Sequence, residues 1–243
     1  MTPGSLHVRA SRGVAVAIMA KWPKAGEVKT RLLPALSAPQ AAQLYEQFLL
    51  DKVTQVRALH NALPAVAFTP ESARPVFERI APDFVLLPQR GGDLGRRLLN
   101  AVRDLCAAGY AGAVMVDSDT PTLPVAFLQR AVDLVVSERP DVVLGPTMDG
   151  GYYLIGMRQP YPGVFKDIPW STERVLRETL RRADREGLTT ACLPPWFDVD
   201  TPEDLRRLET MLARSAASAP NTSRFLARRA ASRSSDPGTG EPR

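Results

Sequence analysis

The sequence predicts an α/β sandwich with a mainly parallel sheet. Short apolar runs alternate along the chain with longer segments of helical periodicity. Several runs are apolar without interruption, the pattern of strands covered on both faces. Charged and glycine-rich segments follow several runs directly, at what would be the ligand-binding edge of a parallel sheet.

The elements can be justified in chain order. Gly13–Ala20 (GVAVAIMA) is the first strand and is far too short to span a bilayer. Arg9 and Arg12 precede it as in a signal peptide, but Lys21 and a polar loop follow at once with no cleavage site, so a cytoplasmic protein is expected. Gln40–Leu59 sets Leu44, Phe48, Val53, Val56 and Leu59 at helical spacing, with Ser37 placed to cap the start. Strands follow at Pro64–Thr69 and Phe84–Pro88. The repeat Leu94, Leu98, Val102, Leu105 makes Asp93–Ala107 a helix. Ala113–Asp117 is a buried strand, Phe127–Ser137 a helix, and Asp141–Gly145 and Tyr152–Met157 are two further strands. Glu173–Glu186 is a helix and Thr190–Leu193 the last strand. The final helix opens TPEDL, with Thr201 as N-cap, Pro202 in the first turn and Asp204 reaching back as a capping box. A single domain over residues 13–214 results. Residues 1–12 and the Ala-, Ser-, Arg- and Pro-rich residues 215–243 are expected to be disordered.

Composition narrows the function. The net charge of +5 resides at the ends: residues 215–243 carry +3 and residues 1–12 carry +2, leaving the core neutral. A nucleic-acid footprint is therefore not expected. Cys106 and Cys192 have no metal or redox spacing, and the only histidines are His7 and His60. Zinc and histidine chemistry are disfavoured, so any metal is expected on oxygen ligands.

Four segments carry candidate chemistry. MAKWPKAGEVKTRL follows the first strand and gathers Lys21, Lys24, Lys29 and Arg31, with Gly26 for a turn and Thr30 as a hydroxyl. It is not a P-loop: Val28 precedes Lys29 and Pro23 stands five residues earlier, where that motif needs glycines. Its charges suit a diphosphate, and equally a solvated basic loop. VMVDSDTPTLP ends a strand in Asp117 and Asp119, acids that suit Mg²⁺ or Mn²⁺ or simply an Asp–Pro turn. LGPTMDGGYYLIGM places Asp149, Gly150 and Gly151 between apolar runs, as in a hairpin turn or a site needing close backbone approach. WFDVDTPEDL brings Asp198 and Asp200 before a helix, as helix-terminal acids or a second metal ligand. Trp170 in IPWST is a stacking surface or a packing residue.

AKWPKAGEVKTRL, LLPAL, QRGGDLGRRL, VDSDTP, GPTMDGGYYLIG, IPWSTERVL and DVDTPEDL, in that order, resemble a bacterial GT-A-like glycosyltransferase family associated with arsenosugar biosynthesis. The resemblance covers roughly residues 13–212. More distantly the chain is similar to the nucleotidyltransferases for molybdenum cofactor and for 2-phospho-lactate, which share a KTRL-like loop and an Asp-x-Pro strand end. The resemblance implies a nucleotide-diphospho-sugar transferase fold: a GT-A-like three-layer sandwich. It implies Lys21, Gly26, Lys29, Thr30 and Arg31 on the nucleotide phosphates, with Gln89 and Asp93 near the base or sugar. Asp119 and Asp200 would hold Mg²⁺ or Mn²⁺, and Gly150, Gly151 and Trp170 would shape the substrate pocket. Asp117 stands where the family pattern carries Gly, which leaves Asp119 as the leading ligand. Asp149 is the residue type suited to deprotonate an acceptor. The implied activity is metal-dependent transfer of a sugar from a nucleoside-diphosphate sugar to a small-molecule acceptor. Two alternatives remain: a nucleotidyltransferase acting on a nucleoside triphosphate, and a nucleotide-binding module without catalysis.

Overall fold

The computed structural model describes residues 13–137 and 139–234; the segment 1–12 and residues 235–243 lie outside the described residues. Seven strands form one sheet: β1 (Val14–Lys21), β2 (Ala62–Thr69), β3 (Val85–Pro88), β4 (Ala113–Val116), β5 (Val142–Pro146), β6 (Tyr152–Met157) and β7 (Thr190–Cys192). Their order is β3-β2-β1-β4-β6-β5-β7. Every pairing is parallel except those of β6, which runs antiparallel between β4 and β5. The helices are α1 (Ala38–Arg57), α2 (Arg74–Ile80), α3 (Leu94–Ala107), α4 (Val125–Val136), α5 (Val175–Arg185), α6 (Pro202–Arg214) and α7 (Pro220–Ser234).

The pleat of β1 shows how the layers form. Val14, Val16 and Ile18 point into a core shared with α1, α2, α4 and α6. Ala15 and Ala17 point into the opposite core, under α3 and α5, where small side chains let the helices approach closely. All five are fully buried, which is why this strand reads as an unbroken apolar run. The caps expected from sequence form as capping boxes, Ser37 with Gln40 on α1 and Thr201 with Asp204 on α6.

One sequence expectation is overturned. Residues 215–234 are not a disordered tail: a 3-10 turn (Ala216–Ser218) leads into α7, which lies along α1. The physical reason is tertiary. Asp51 of α1 is 1% exposed, and its carboxylate accepts hydrogen bonds from Asn221 N, Asn221 Nδ2 and Thr222 N, each at 2.9 Å. That caps the first turn of α7 from another helix, and Leu226 adds apolar burial. Helix α2 is likewise not expected from sequence; it is only seven residues long and opens with Pro75 in its first turn.

Candidate active site

The ends of β1 and β4 open into a cleft of about 420 Å³, lined by Lys21, Lys29, Thr30, Arg31, Gln89, Arg97, Asp117, Asp119 and Asp200 among others. Both β1 and β4 present their carboxyl ends there, as expected for a parallel sheet.

Three distant segments meet at a charged centre. Lys29 Nζ stands 2.5 Å from Asp119 Oδ1 and 2.8 Å from Asp200 Oδ1, and it donates to Val199 O at 2.8 Å. The two acids converge because Val199 N donates to Asp119 O at 3.0 Å, tying the segment before α6 to the loop after β4. Asp204 Oδ2 then accepts from Asp200 N and Thr201 N, fixing the backbone that carries Asp200. The Lys29 side chain is 4% exposed, whereas each carboxylate is 38% exposed. Burial alone would lower the Lys29 pKa; the two carboxylates outweigh it and hold the ammonium above its usual value. The backbone of Lys29 is left-handed, with φ 50°. That conformation is uncommon for a lysine and is kept here by the three side-chain ties.

Lys29, expected from sequence on phosphate, has its ammonium engaged by the two acids here, and the trio of Lys29, Asp119 and Asp200 has a formal charge of −1. The side chains of Lys21 and Arg31, both at exposed positions, supply further positive charge to the cleft, and Arg97 adds more while donating to Gly91 O.

A second network fixes the loop Asp117–Thr120. Lys21 N donates to Tyr45 Oη, and Ser118 Oγ donates to Met19 O. The 2.8 Å bond between Tyr45 and Ser118 is then donated by the tyrosine, because the Ser118 proton is already used. Thr120 Oγ1 donates to Asp117 Oδ1 at 2.6 Å. Burial raises the pKa of Asp117, partly opposed by nearby Lys52. Asp198 is raised to about 6 by burial and by the neighbouring carboxylates of Asp149 and Asp200. Gln89 donates from Nε2 to Ala20 O and Ala67 O, closing the ends of β1 and β2 beside the cleft.

The remaining sequence-derived residues fall elsewhere. Asp93 is the N-cap of α3, accepting from Arg96 N at 2.8 Å, and does not line the cleft. Its position is set by the demand of a helix start for an acceptor. Gly26 makes an exposed turn at φ +81°. Trp170 packs over Gly95 and edge-on to Tyr152, lining a separate cavity of about 590 Å³. Gly150 has φ +89°, and a Cβ there would collide with the Glu173 carbonyl, so its glycine character is a turn requirement. Gly151 closes the same hairpin by donating to Asp149 Oδ1. Asp149 Oδ1 also accepts from Thr147 Oγ1, so that oxygen is engaged within the turn and Asp149 lies outside the cleft lining. Sequence reasoning does not reach Tyr45, Ser118, Lys52 or Arg97. Tyr45 sits at core spacing within α1, and nothing local separates it from a packing residue.

The donor set suits a hard divalent cation of the Mg²⁺ or Mn²⁺ kind in one specific sense. Asp119 and Asp200 offer two oxygen ligands that share a focus. Among the described residues no group of three or more His, Cys, Asp or Glu is placed to hold an ion unaided. Such an ion would take its other ligands from water and phosphate oxygens, the usual pattern for Mg²⁺. No helix among the described residues is long and apolar enough to cross a membrane.

Comparison with known proteins finds similar chains. The family described as "Uncharacterized protein conserved in bacteria (DUF2064)" matches residues 52–172. A Desulfovibrio desulfuricans G20 protein of known structure, named a "putative nucleotide-diphospho-sugar transferase", is 32% identical, with a TM-score of 0.82. That match covers 90% of this chain and 95% of the other. A cytidylyltransferase from Leptospira borgpetersenii is 13% identical with a TM-score of 0.53, over 95% of this chain and 99% of that one. Molybdopterin-guanine dinucleotide biosynthesis protein A from Archaeoglobus fulgidus is 14% identical with a TM-score of 0.51, over 83% of this chain and 100% of that one. The last two show a shared fold. No curated protein matches the chain.

Proposed function

We propose that this chain, which belongs to the same nucleotide-diphospho-sugar transferase-like family as the Desulfovibrio desulfuricans protein, transfers a sugar from a nucleoside-diphosphate sugar to a small-molecule acceptor. The observation that carries the proposal is the convergence of Asp119 and Asp200 on the Lys29 ammonium, in a cleft also lined by Lys21 and Arg31. Acids and exposed cations lining one cleft suit a diphosphate that arrives with a divalent cation. A bound Mg²⁺ or Mn²⁺ would stabilise charge on the departing diphosphate. Lys21, Arg31 and Arg97 bind and neutralise the phosphates, and Thr30 offers a hydroxyl beside them. Lys29 keeps the two acids at a fixed spacing before substrate enters. Asp149 lies outside the cleft lining with one oxygen tied in its turn, so the base for the acceptor hydroxyl is not assigned to it.

The test is product analysis. Purified protein is incubated with Mn²⁺ and a panel of UDP-, GDP-, CDP- and dTDP-sugars, and in parallel with nucleoside triphosphates. Release of nucleoside diphosphate from one sugar donor is expected, lowered about 100-fold or more in Asp119→Asn and Asp200→Asn. Pyrophosphate release from a triphosphate, with every sugar donor inert, would instead establish nucleotidyl transfer. Thermal stabilisation by nucleotides without turnover would establish a binding module, because any ligand of the native state raises apparent stability. The resembling family's association with arsenosugar biosynthesis adds arsenic-containing acceptors to the panel.

A further inference from the structure

Lys52 of α1 has no exposed surface, yet it is a lysine. Desolvating an ammonium costs several kcal/mol, and a Met or Leu on the same helix face would fill the space without that cost. Its hydrogen bonds show what the charge does. Nζ donates to Thr120 O at 2.8 Å and to Thr120 Oγ1 at 2.9 Å. The Thr120 hydroxyl, already accepting from Lys52, donates onward to Asp117.

Helix α1 makes two more contacts of this kind. Tyr45 bonds Ser118 Oγ, and Gln55 Nε2 donates to Pro121 O at 2.5 Å. One helix therefore holds Ser118, Thr120 and Pro121 from below with three buried polar side chains. The residue it leaves unheld is Asp119, whose carboxylate turns instead to Lys29 and whose carbonyl accepts from Val199 N. Of the three, Lys52 makes two contacts to the residue directly after Asp119 and carries the only charge.

We propose that Lys52 is the positioning residue for Asp119: its ammonium clamps Thr120 so that the loop after β4 aims the Asp119 carboxylate at the Lys29 ammonium, which Asp200 shares. It touches no substrate, and its hydrogen bonds go to Thr120. This rests on Asp119 being a site carboxylate, the role proposed for it in sugar transfer.

The test compares wild type with Lys52→Met, which removes the ammonium and keeps most of the side-chain length, and with Thr120→Val, which removes the clamped hydroxyl. Two quantities are read: amide hydrogen exchange over residues 117–122, and Mn²⁺ affinity by electron paramagnetic resonance. In both variants the loop amides should exchange about tenfold faster while β1 and β2 keep their protection. The Mn²⁺ dissociation constant should rise by about tenfold or more in Lys52→Met. Unchanged loop exchange in a folded variant overturns the proposal. So does acceleration spread evenly over the chain, which would make Lys52 a core strut. If Lys52→Met does not fold, Thr120→Val decides by the same two criteria. If wild type binds no Mn²⁺ while the loop still loosens selectively, the positioning role stands and the metal-dependent function falls.

Discussion

Replacing Lys29 with methionine should cut turnover steeply and at the same time tighten divalent-cation binding in the absence of nucleotide. The opposite signs follow from one contact. The Lys29 ammonium sits between Asp119 and Asp200 with its side chain almost wholly enclosed. It lowers the negative charge that a free cation meets, and removing it takes the trio from −1 to −2. One added unit charge at ~4 Å from a divalent cation is worth about 2 kcal/mol even at the dielectric of water, or roughly thirtyfold in affinity. Mn²⁺ titration of the nucleotide-free variant measures that gain. Turnover should fall by on the order of 10²–10³, the usual loss when one preorganised charged donor is removed. The fall follows because the acids lose their spacer and the left-handed backbone at residue 29 loses the ties that hold it. Methionine suits the test because it retains the side-chain length in an enclosed site. Equal Mn²⁺ affinity in wild type and variant would show that the ammonium does not compete with the metal for the carboxylates, and Lys29 would lose its role as their spacer.

The second large effect concerns α7. Ending the chain at Arg214 should destabilise the protein by about 3–5 kcal/mol, the range for stripping a buried charge of its partners. Asp51 is the reason. It is 1% exposed, and among the described residues its carboxylate accepts its three hydrogen bonds from Asn221 and Thr222. For a domain of this size each kcal/mol shifts the melting temperature by roughly 2–4 °C, so the midpoint should drop by about 10 °C. Asp51→Leu in the truncated chain should recover part of the loss, because it removes the stranded carboxylate and replaces it with an apolar side chain. Thermal and urea unfolding of the three proteins make the comparison. A truncated chain as stable as the full one would mean that α7 is an ornament on the fold.

These two cases show what the sequence does and does not disclose. The central strands are legible because each is a short apolar run whose faces are both covered, and β1 illustrates this in residues Val14 to Ile18. The caps at Ser37 and Thr201 are legible because a capping box is a local pattern with a local cause. Helix α7 is not legible. Its Ala-, Ser- and Arg-rich composition matches that of an unstructured extension, and the carboxylate that caps it lies 170 residues earlier. The candidate site shows the same division. Asp119, Asp200 and Lys29 are identifiable as unusual charges beside strand ends, but their mutual contact is not. Lysine and aspartate 171 residues apart leave no periodicity by which their pairing could be read. From sequence, Lys29 therefore points to phosphate, and Asp93 to the ligand rather than to its own helix. Lys52 is hidden for a related reason: a single lysine on an amphipathic helix reads as a solvated one.

The span between Lys29 and Asp200 also bears on how the protein is made. A ribosome adds roughly 5–20 residues per second, so Lys29 emerges on the order of ten seconds or more before the acid that completes its centre. During that interval the early strands can pair, while the cleft cannot exist. Asp51 likewise waits for Asn221 and Thr222, about 170 residues further along the chain. The nascent chain thus carries a buried-charge deficit at two positions until α7 is released. Copies that lack α7 are accordingly expected to be the ones exposed to proteolysis.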